Sequence, residues 1–306
     1  MATIEGTPGD DHLVVQGDDP FYSVNPRTGA DVIDILLPAT SETSIHLEDG
    51  GDTVHGGDSW DTIYLSGGGN RLYGGAGNDL FAVSGVGAGN LIDGGSGADT
   101  LSAGSADGAF ITLAEGRAAL RPPESGLLVQ YDLRGIENLR DSPGNDILVG
   151  DDGPNRLEAT GGADLLSGRG GDDVLTSRDD IPPRSSGNDI FVGGRGADTI
   201  TTAGGADTIR IDRLVESLPG REDVVTDFSA GDILDLSRID ADLTAPGNQA
   251  FTFIGTAAFS GTAGELRFER QGDGLLVSAD ADGDARADMV VVFERLGEIA
   301  ASDILL

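Results

Sequence analysis

Residues 141–176 read as four consecutive nine-residue units, DSPGNDILV, GDDGPNRLE, ATGGADLLS and GRGGDDVLT. Cleaner copies stand at 74–82 (GGAGNDLFA), 94–102 (GGSGADTLS) and 193–201 (GGRGADTIT), and they define the pattern G-G-x-G-x-D-x-U-x, in which U is a large apolar residue. A glycine-rich period of nine does not match the 3.6-residue period of an amphipathic helix. The tail x-U-x is a minimal strand with one inward side chain, and the glycines of the head permit a turn. Two units therefore predict one coil of a flattened, right-handed parallel β-roll.

The repeats occupy two blocks of an all-β chain. We predict a first roll block at 1–102, with only degenerate copies at 15–55, an insertion at 103–134, a second roll block at 135–212, and a separate C-terminal domain at 213–306. The apolar U residues point inward and form a narrow core. They are Leu13, Ile63, Leu72, Phe81, Ile92, Leu101, Leu148, Leu157, Leu166, Leu175, Phe191, Ile200 and Ile209.

The composition favours cations as partners. The chain carries 53 acidic and 19 basic residues, which gives a formal net charge of −34 at pH 7. This charge repels nucleic-acid phosphates and anionic membrane surfaces. The absence of cysteine excludes disulfides, thiolate zinc sites and a cysteine nucleophile. No run approaches the ~18 apolar residues of a membrane span, and the N-terminus lacks the basic and apolar segments of a classical signal peptide, so we expect neither.

The acidic residues keep the phase of the repeat. The sixth position of each well-formed unit is Asp or Asn, and coils stacked ~4.8 Å apart would align these side chains in mutually repelling columns. Calcium would relieve that repulsion, because it takes six to eight oxygens from carboxylates and backbone carbonyls, whereas Mg²⁺ demands a stricter geometry. The predicted ligands are the position-six side chains of Asp11, Asp61, Asn70, Asp79, Asn90, Asp99, Asp146, Asn155, Asp164, Asp173, Asp189, Asp198 and Asp207, with the position-four glycines Gly77, Gly97, Gly144, Gly153, Gly162, Gly171, Gly187, Gly196 and Gly205. We expect roughly 8–10 Ca²⁺ ions, about one between successive loops on the same face.

Other acidic residues have two interpretations. Asp223 falls where a last, degraded repeat would place its ligand, and Asp280, Asp282, Asp284 and Asp288 have the spacing of a short calcium loop without the closing Glu of an EF-hand. The alternative for that loop is an acidic turn between two strands. Acids outside the repeat phase, namely Asp18, Asp19, Asp179 and Asp180, fit a solvated surface better than a metal site.

The nonapeptide resembles that of the RTX (repeats-in-toxin) proteins. The similarity continues beyond the repeats, where EDVVTDFSAGDILDLSRID (222–240), FTFIGTAAFSGTAGELRFE (251–269) and DADGDARADMVVVF (280–293) resemble the C-terminal domain of serralysin-type proteins. The resemblance implies that residues 213–306 form an antiparallel β-domain that caps the roll. It further implies a bacterial chain that stays unfolded in the calcium-poor cytosol. It also implies export by type I secretion machinery that reads an uncleaved C-terminal signal, and folding in extracellular calcium.

The sequence therefore predicts a secreted calcium-binding protein with a structural, adhesive or carrier role and without a catalytic domain. The H-E-x-x-H motif of zinc proteases and the G-x-S-x-G nucleophile elbow of lipases are both missing. The alternative is an extracellular polysaccharide-modifying enzyme of the lyase or epimerase type, or its calcium-binding module. Besides calcium, the candidate partners are extracellular polysaccharide and the cell surface. Trp60, Tyr64 and Tyr73 occupy outward positions that could form a sugar-stacking strip, although such residues more often cover a coil edge.

Overall fold

The computed structural model describes residues 1–84, 87–104, 107–121, 128–178 and 187–306. It contains two compact units, Met1–Leu148 and Val149–Leu306. The described ranges hold β-strands and two short 3-10 helices, at Leu214–Glu216 and Ala301–Asp303, and no α-helix. None of the helices in these ranges has the length and apolar character needed to cross a bilayer. The prediction of an all-β protein is confirmed.

The first unit contains fifteen strands in two sheets. In chain order they are β1 (Ala2–Glu5), β2 (His12–Val15), β3 (Phe21–Arg27), β4 (Val32–Ile35), β5 (Glu42–Leu47), β6 (Thr53–His55), β7 (Trp60–Leu65), β8 (Arg71–Ala76), β9 (Leu80–Val83), β10 (Asn90–Ser96), β11 (Thr100–Ser102), β12 (Ala109–Thr112), β13 (Arg117–Leu120), β14 (Val129–Arg134) and β15 (Asn138–Arg140). One sheet, here the odd sheet, has the order β1-β3-β5-β7-β9-β11-β15; the other, the even sheet, begins β2-β4-β6-β8-β10-β14. All of these neighbours are parallel, as a β-roll requires.

The core of this unit is a single-file stack of apolar side chains. Ile45, Ile63, Phe81 and Leu101 are cross-strand partners in successive coils, and each is fully buried. Burying such a side chain contributes ~1.5–3 kcal/mol. The stack therefore stabilises the fold, although the core is only one side chain wide. Twelve of the thirteen predicted inward residues are buried. Leu13 is the exception and is half-buried, because it lies near the end of the stack.

The segment at 15–55, where the repeat is degenerate, forms regular coils. Its strands β3 to β6 keep the parallel register of their neighbours. The inward residues Val24, Ile33, Ile45 and Val54 are all fully buried, so each coil retains its apolar contact. The repeat is degenerate here because turns of different length separate the strands, which changes the spacing and leaves the stacking intact.

The insertion predicted at 103–134 departs from the roll. Strand β14 pairs in parallel with β10, but β13 and β12 then follow in antiparallel order, with Ala118 opposite Tyr131 and Ile111 opposite Ala118. Residues 105–106 and 122–127 of this insertion lie outside the described ranges. The described part is therefore an antiparallel meander that extends the even sheet.

The second unit repeats this architecture. Strand β16 (Ile147–Val149) contains the boundary of the two units, and the remaining strands are β17 (Arg156–Ala159), β18 (Leu165–Gly170), β19 (Val174–Ser177), β20 (Ile190–Arg195), β21 (Thr199–Thr201), β22 (Thr208–Arg210), β23 (Asp223–Val225), β24 (Ile233–Asp235), β25 (Thr252–Phe253), β26 (Glu265–Gln271), β27 (Gly274–Asp280), β28 (Met289–Phe293) and β29 (Ile304–Leu305). Their orders are β17-β19-β21-β23-β28-β27-β26-β25 and β18-β20-β22-β24-β29.

The predicted antiparallel cap is a continuation of the roll. Strand β28 pairs in parallel with β23, and from β28 to β27 and β26 the sheet becomes antiparallel. Strand β29 closes the other sheet by pairing in parallel with β24, where Ile304 is buried opposite Leu234. The last coils are thus covered by strands that use the same hydrogen-bonding edges. The domain limits predicted at 102, 134 and 212 remain a prediction.

Candidate metal-binding columns

The position-six side chains form stacked columns. We define a first column of Asp11, Asp31, Asp52, Asn70 and Asn90, a second of Asp61, Asp79 and Asp99, a third of Asn155, Asp173, Asp198 and Asp223, and a fourth of Asp164, Asp189, Asp207 and Asp232. All members are buried except Asp11, which is half-buried beside the end coil. Asp146 is buried as well, and its Oδ1 accepts hydrogen bonds from the Ala109 N–H and the Ser142 hydroxyl. Nearly every acidic side chain that keeps the phase of the repeat is therefore buried, whereas the acidic residues of a solvated surface would be exposed.

One oxygen of each side chain is used by the protein itself. The Asp79 Oδ1 accepts the backbone N–H of Asp61 at 2.9 Å, and the Asp99 Oδ1 accepts that of Asp79 at 2.7 Å. The same bond recurs along every column, whether its members are 18, 20, 21 or 25 residues apart. This ladder fixes the rotamer of each side chain and aims the second oxygen in one direction, so the ligands are held in place by the backbone.

The second oxygen is the unsatisfied one. Within the described part of the chain, the buried Oδ2 atoms of Asp31, Asp52, Asp61, Asp79, Asp99, Asp173 and Asp198 have no hydrogen-bond partner. Burial raises the pKa of Asp61, Asp79 and Asp173 to about 7 and that of Asp52 and Asp198 to about 6. A buried carboxylate oxygen without a donor costs free energy. Bound cations would satisfy this repeating row of oxygens.

Asn90 shows what surrounds that second position. Its Nδ2, which takes the place of an aspartate Oδ2, donates to the carbonyl oxygens of Gly67 at 3.1 Å and Gly87 at 3.0 Å. The turns at Gly67 and Gly87 therefore present backbone carbonyls to the end of this side chain, whereas the buried Nδ2 of Asn70 in the same column has no hydrogen-bond partner among the described residues. With aspartate at this position, the carboxylate oxygen would face carbonyl oxygens, all of them acceptors. An all-oxygen set of this kind suits a hard cation such as Ca²⁺.

The glycines make this close approach possible. A Cβ on Gly74 or Gly168, the first residue of a unit, would overlap the Oδ2 of Asp79 or Asp173. Among the predicted position-four ligands, Gly97 and Gly196 have φ of 145° and 151°, and a Cβ there would overlap a carbonyl of the preceding coil. Positive φ also occurs at Gly77, Gly162, Gly171 and Gly205, whereas Gly144, Gly153 and Gly187 lack it. Six of the nine predicted glycines thus need a conformation that other residues rarely adopt.

Three column members were missed by the sequence analysis. Asp31, Asp52 and Asp232 occupy the same ladder positions as the predicted ligands. Their local sequences GADVI (29–33), GGDTV (50–54) and AGDIL (230–234) keep the Asp and the inward residue two positions later but have lost the full glycine pattern. The Asp-x-U core alone, without the nine-residue spacing, could have identified them.

The last members of the third and fourth columns are hydrogen-bonded to serine residues. Asp223 accepts the N–H of Asp198, and its own N–H donates to the Ser217 hydroxyl at 2.8 Å. Burial raises the pKa of Asp223 to about 8, with the charge of Asp198 as the second cause. Asp232 accepts the N–H and the hydroxyl of Ser229 on its Oδ2. Asp223 lies where the degraded repeat placed it, and Asp232 ends the neighbouring column.

The acidic loop at 280–288 is a turn that gathers three carboxylates. It joins the antiparallel strands β27 and β28, and the oxygens of Asp280, Asp282 and Asp288 lie within 4.8 Å of one another. The buried Asp280 is already held by the N–H groups of Gly283 and Ala285. Asp284 is not part of this group. The segment is therefore a turn between two strands, and three of the four predicted ligands lie together in it.

The remaining candidates are dispersed. Asp18 and Asp19 are exposed, as expected of a solvated surface, and Asp179 and Asp180 lie outside the described residues. Trp60 and Tyr64 lie on β7 of the odd sheet and Tyr73 on β8 of the even sheet, so the three do not form one strip. That interpretation of the three aromatic residues is wrong.

The chain is similar to solved structures of other proteins at low sequence identity. No curated protein matches the chain. Among solved structures, the extracellular lipase LipA from Serratia marcescens is similar at 19% identity over 91% of this chain and 45% of the lipase chain, with a TM-score of 0.35. The AlgE6R3 subunit of the Azotobacter vinelandii mannuronan C5-epimerase is similar at 24% identity over 53% of this chain and 77% of the subunit, with a TM-score of 0.25. This chain thus spans less than half of the lipase chain, and we draw no argument from either similarity.

The family comparison covers both units. The family model described as Peptidase M10 serralysin C terminal matches residues 3–306, which includes the coils at 15–55 and the meander as well as the C-terminal strands. Because the match runs through the whole roll, the chain belongs to the peptidase M10 serralysin C-terminal family of RTX calcium-binding domains.

Proposed function

We propose that this protein is an extracellular calcium-binding roll that folds when Ca²⁺ enters its columns and then serves as a structural, adhesive or carrier element. The observation that carries the proposal is the repeating row of buried aspartate Oδ2 atoms without donors. The other carboxylate oxygen of each side chain, Oδ1, is fixed by the backbone ladder. The ligand oxygens are therefore positioned by the same bonds that stack the coils.

The chemistry of the donor set supports calcium over other metals. The column side chains that we assign to the ions are those of Asp31, Asp52, Asp61, Asp79, Asp99, Asp173 and Asp198, with glycine carbonyls of the turns as further donors. Oxygen-only ligands in flexible loops favour Ca²⁺ over Zn²⁺, which prefers nitrogen and sulfur, and over Mg²⁺, which retains its water. Bound calcium would supply the positive charge that the buried carboxylates need. Since the sites exist only in the stacked roll, binding free energy is folding free energy.

Circular dichroism of the full chain tests this coupling. In excess chelator the signal should be that of a largely unfolded chain of high net charge, and millimolar Ca²⁺ should convert it to β-structure. Magnesium at the same concentration is the matched control and should be much less effective. A cooperative thermal transition in excess chelator at neutral pH would contradict the proposal. Incubation of the calcium-loaded protein with a polysaccharide panel, followed by analysis of cleavage products, tests the enzymatic alternative.

We also propose that the C-terminal tail directs export by type I machinery. The tail forms strand β29, with Ile304 buried and Leu305 exposed, and this packing is compatible with a signal because the exported chain is unfolded. Deleting the last ten residues should abolish export from a host with a type I exporter. The matched variant Ile304→Ala weakens the packing but keeps the tail, and it should be exported normally. Efficient export of the truncated chain would refute the assignment.

A further inference from the structure

A row of cross-strand partners crosses the outer face of the odd sheet. His46 on β5 pairs with Tyr64 on β7, Tyr64 pairs with Ala82 on β9, and Ala82 pairs with Ser102 on β11. These side chains all point away from the core, since they alternate with the buried residues of each strand. The row therefore changes from two rings to a methyl group and then to a hydroxyl within four strands.

The first two members of the row form an open-ended stack. The rings of His46 and Tyr64 are parallel within 5°, with their centroids 4.6 Å apart, which matches the spacing of the strands that carry them. The next position holds only the methyl group of Ala82. One face of the Tyr64 ring is therefore covered by His46, while the other faces the space above Ala82. Tyr64 is 43% exposed, as this arrangement requires.

That space is a groove of suitable size and chemistry. Its volume is about 420 Å³, and its lining includes His46, Tyr64, Ala82 and Ser102 together with Glu48 and Ser66. Strands lie ~4.8 Å apart, so Tyr64 and Ser102 are separated by about two spacings, enough for one ring to stack on Tyr64 and reach the Ser102 hydroxyl. The groove combines an apolar ring face with hydroxyl and carboxylate groups at its sides. A ligand with an apolar face and a polar edge matches it.

We propose that this groove, hereafter the Tyr64 groove, binds a neutral pyranose unit of a saccharide, with the sugar ring as the third member of the His46–Tyr64 stack. A pyranose offers a face of C–H groups to the tyrosine ring and hydroxyls at its edge to the serine and glutamate side chains. Glu48 and the net charge of −34 disfavour an anionic sugar. This inference deepens the adhesive role in the proposed function and rests on it, because only the folded roll aligns the row.

The even sheet provides a matched control. His55 and Tyr73 form a similar stack there, with centroids 5.5 Å apart. The next cross-strand partner of Tyr73 is Asp93, a charged side chain, in place of the small residue found beside Tyr64. Removing the Tyr73 ring therefore makes the same chemical change in a stack that does not have the Ala82 gap.

Calorimetric titration of the calcium-loaded protein tests the groove. The probes are cellohexaose, maltohexaose and mannohexaose as neutral saccharides, and an oligoguluronate of the same length as the anionic one. Tyr64→Ala should weaken binding of the preferred neutral probe at least ~10-fold, equivalent to ~1.4 kcal/mol. Ala82→Phe should abolish it by placing a ring in the third position while keeping the His46–Tyr64 stack, and Tyr73→Ala should bind as the wild type does.

The outcomes separate the groove from the calcium proposal. Circular dichroism reports folding of every variant, so a variant that fails to fold is recognised and Ala82→Phe still tests the site. A folded wild-type protein that binds none of the neutral probes at millimolar concentration would refute the groove and leave calcium-dependent folding intact. Binding that survives in both Tyr64→Ala and Ala82→Phe, or that is as strong for the anionic probe, would refute it as well. A protein that folds without calcium would overturn the proposed function, and the titration would still test the groove.

Discussion

Replacing Asp79 by asparagine should have opposite effects with and without calcium. The Oδ1 of Asp79 accepts the N–H of Asp61, and an asparagine Oδ1 can keep this bond. The change removes the charge from the buried Oδ2, which has no donor. Asn70 and Asn90 show that an amide is accommodated at a column position, and the Nδ2 of Asn90 donates to two carbonyls of the turns. Asparagine should therefore be tolerated in the ladder and be a poorer calcium ligand.

The structure sets the magnitude of the effect. Burial raises the pKa of Asp79 from 3.8 to about 7. At ~1.36 kcal/mol for each pKa unit, holding this carboxylate ionised in the calcium-free fold costs up to about 4 kcal/mol above pH 8. Partial relaxation and solvent screening reduce this to an expected gain of roughly 2 kcal/mol for Asp79→Asn in chelator. In calcium the sign reverses, because sites next to Asp79 lose a charged ligand.

Two titrations measure the effect of Asp79→Asn on folding, one without calcium and one with it. Folding of the calcium-free chain is induced by an osmolyte in chelator and followed by circular dichroism, and the osmolyte midpoint should fall for Asp79→Asn. Folding by calcium should need a higher concentration of the ion, because the sites next to Asp79 have lost a charged ligand. Asp132→Asn, an exposed position on β14, is the control and should change neither midpoint appreciably. If Asp79→Asn destabilised the calcium-free chain as well, the assignment of its Oδ2 to a cation would be wrong.

Three more predictions concern the columns and the acidic loop. In chelator, acidification should promote folding. Burial raises the pKa values of column aspartates such as Asp61 and Asp198 from 3.8 in the unfolded chain to about 7 and about 6 in the fold. Protonation of these groups therefore stabilises the fold fully below pH ~4, and this stabilisation is lost as the pH rises through 6 to 7. Far-ultraviolet circular dichroism against pH, without calcium, would show it, and a signal that stays unfolded down to pH 4 would contradict it. Asp52→Ala should raise the calcium midpoint for folding although its repeat is degenerate, whereas the exposed Asp18→Ala should not, and equal midpoints would exclude Asp52 as a calcium ligand. Asp280→Ala should remove one bound ion in a direct count by equilibrium dialysis while Asp284→Ala should not, and an unchanged count in both would leave the loop a structural turn.

The repeat pattern predicted the column members wherever a nine-residue unit is well formed. Asp79, Asp99, Asp173 and Asp198 were placed by the pattern alone, and the structure gives each of them the same burial and the same ladder bond. Their role as calcium ligands stays a proposal. The pattern failed at Asp31 and Asp52, because the sequences around them, GADVI (29–33) and GGDTV (50–54), have lost the full glycine pattern. A stacked coil needs its inward residue and its ladder bond, and extra residues in a turn change neither.

The sequence by itself determined the kind of fold. A nine-residue period with one inward residue and three glycines is compatible with a stacked roll, and aspartate in phase with it predicts cation ligands, because these constraints act within and between adjacent coils. Only the tertiary structure decided which side chains become neighbours across strands. It excluded Asp284 from the acidic group, separated Tyr73 from Tyr64, and placed Ala82 beside the open face of the Tyr64 ring. These relations depend on strand register and turn length, which vary from coil to coil while the local pattern stays the same.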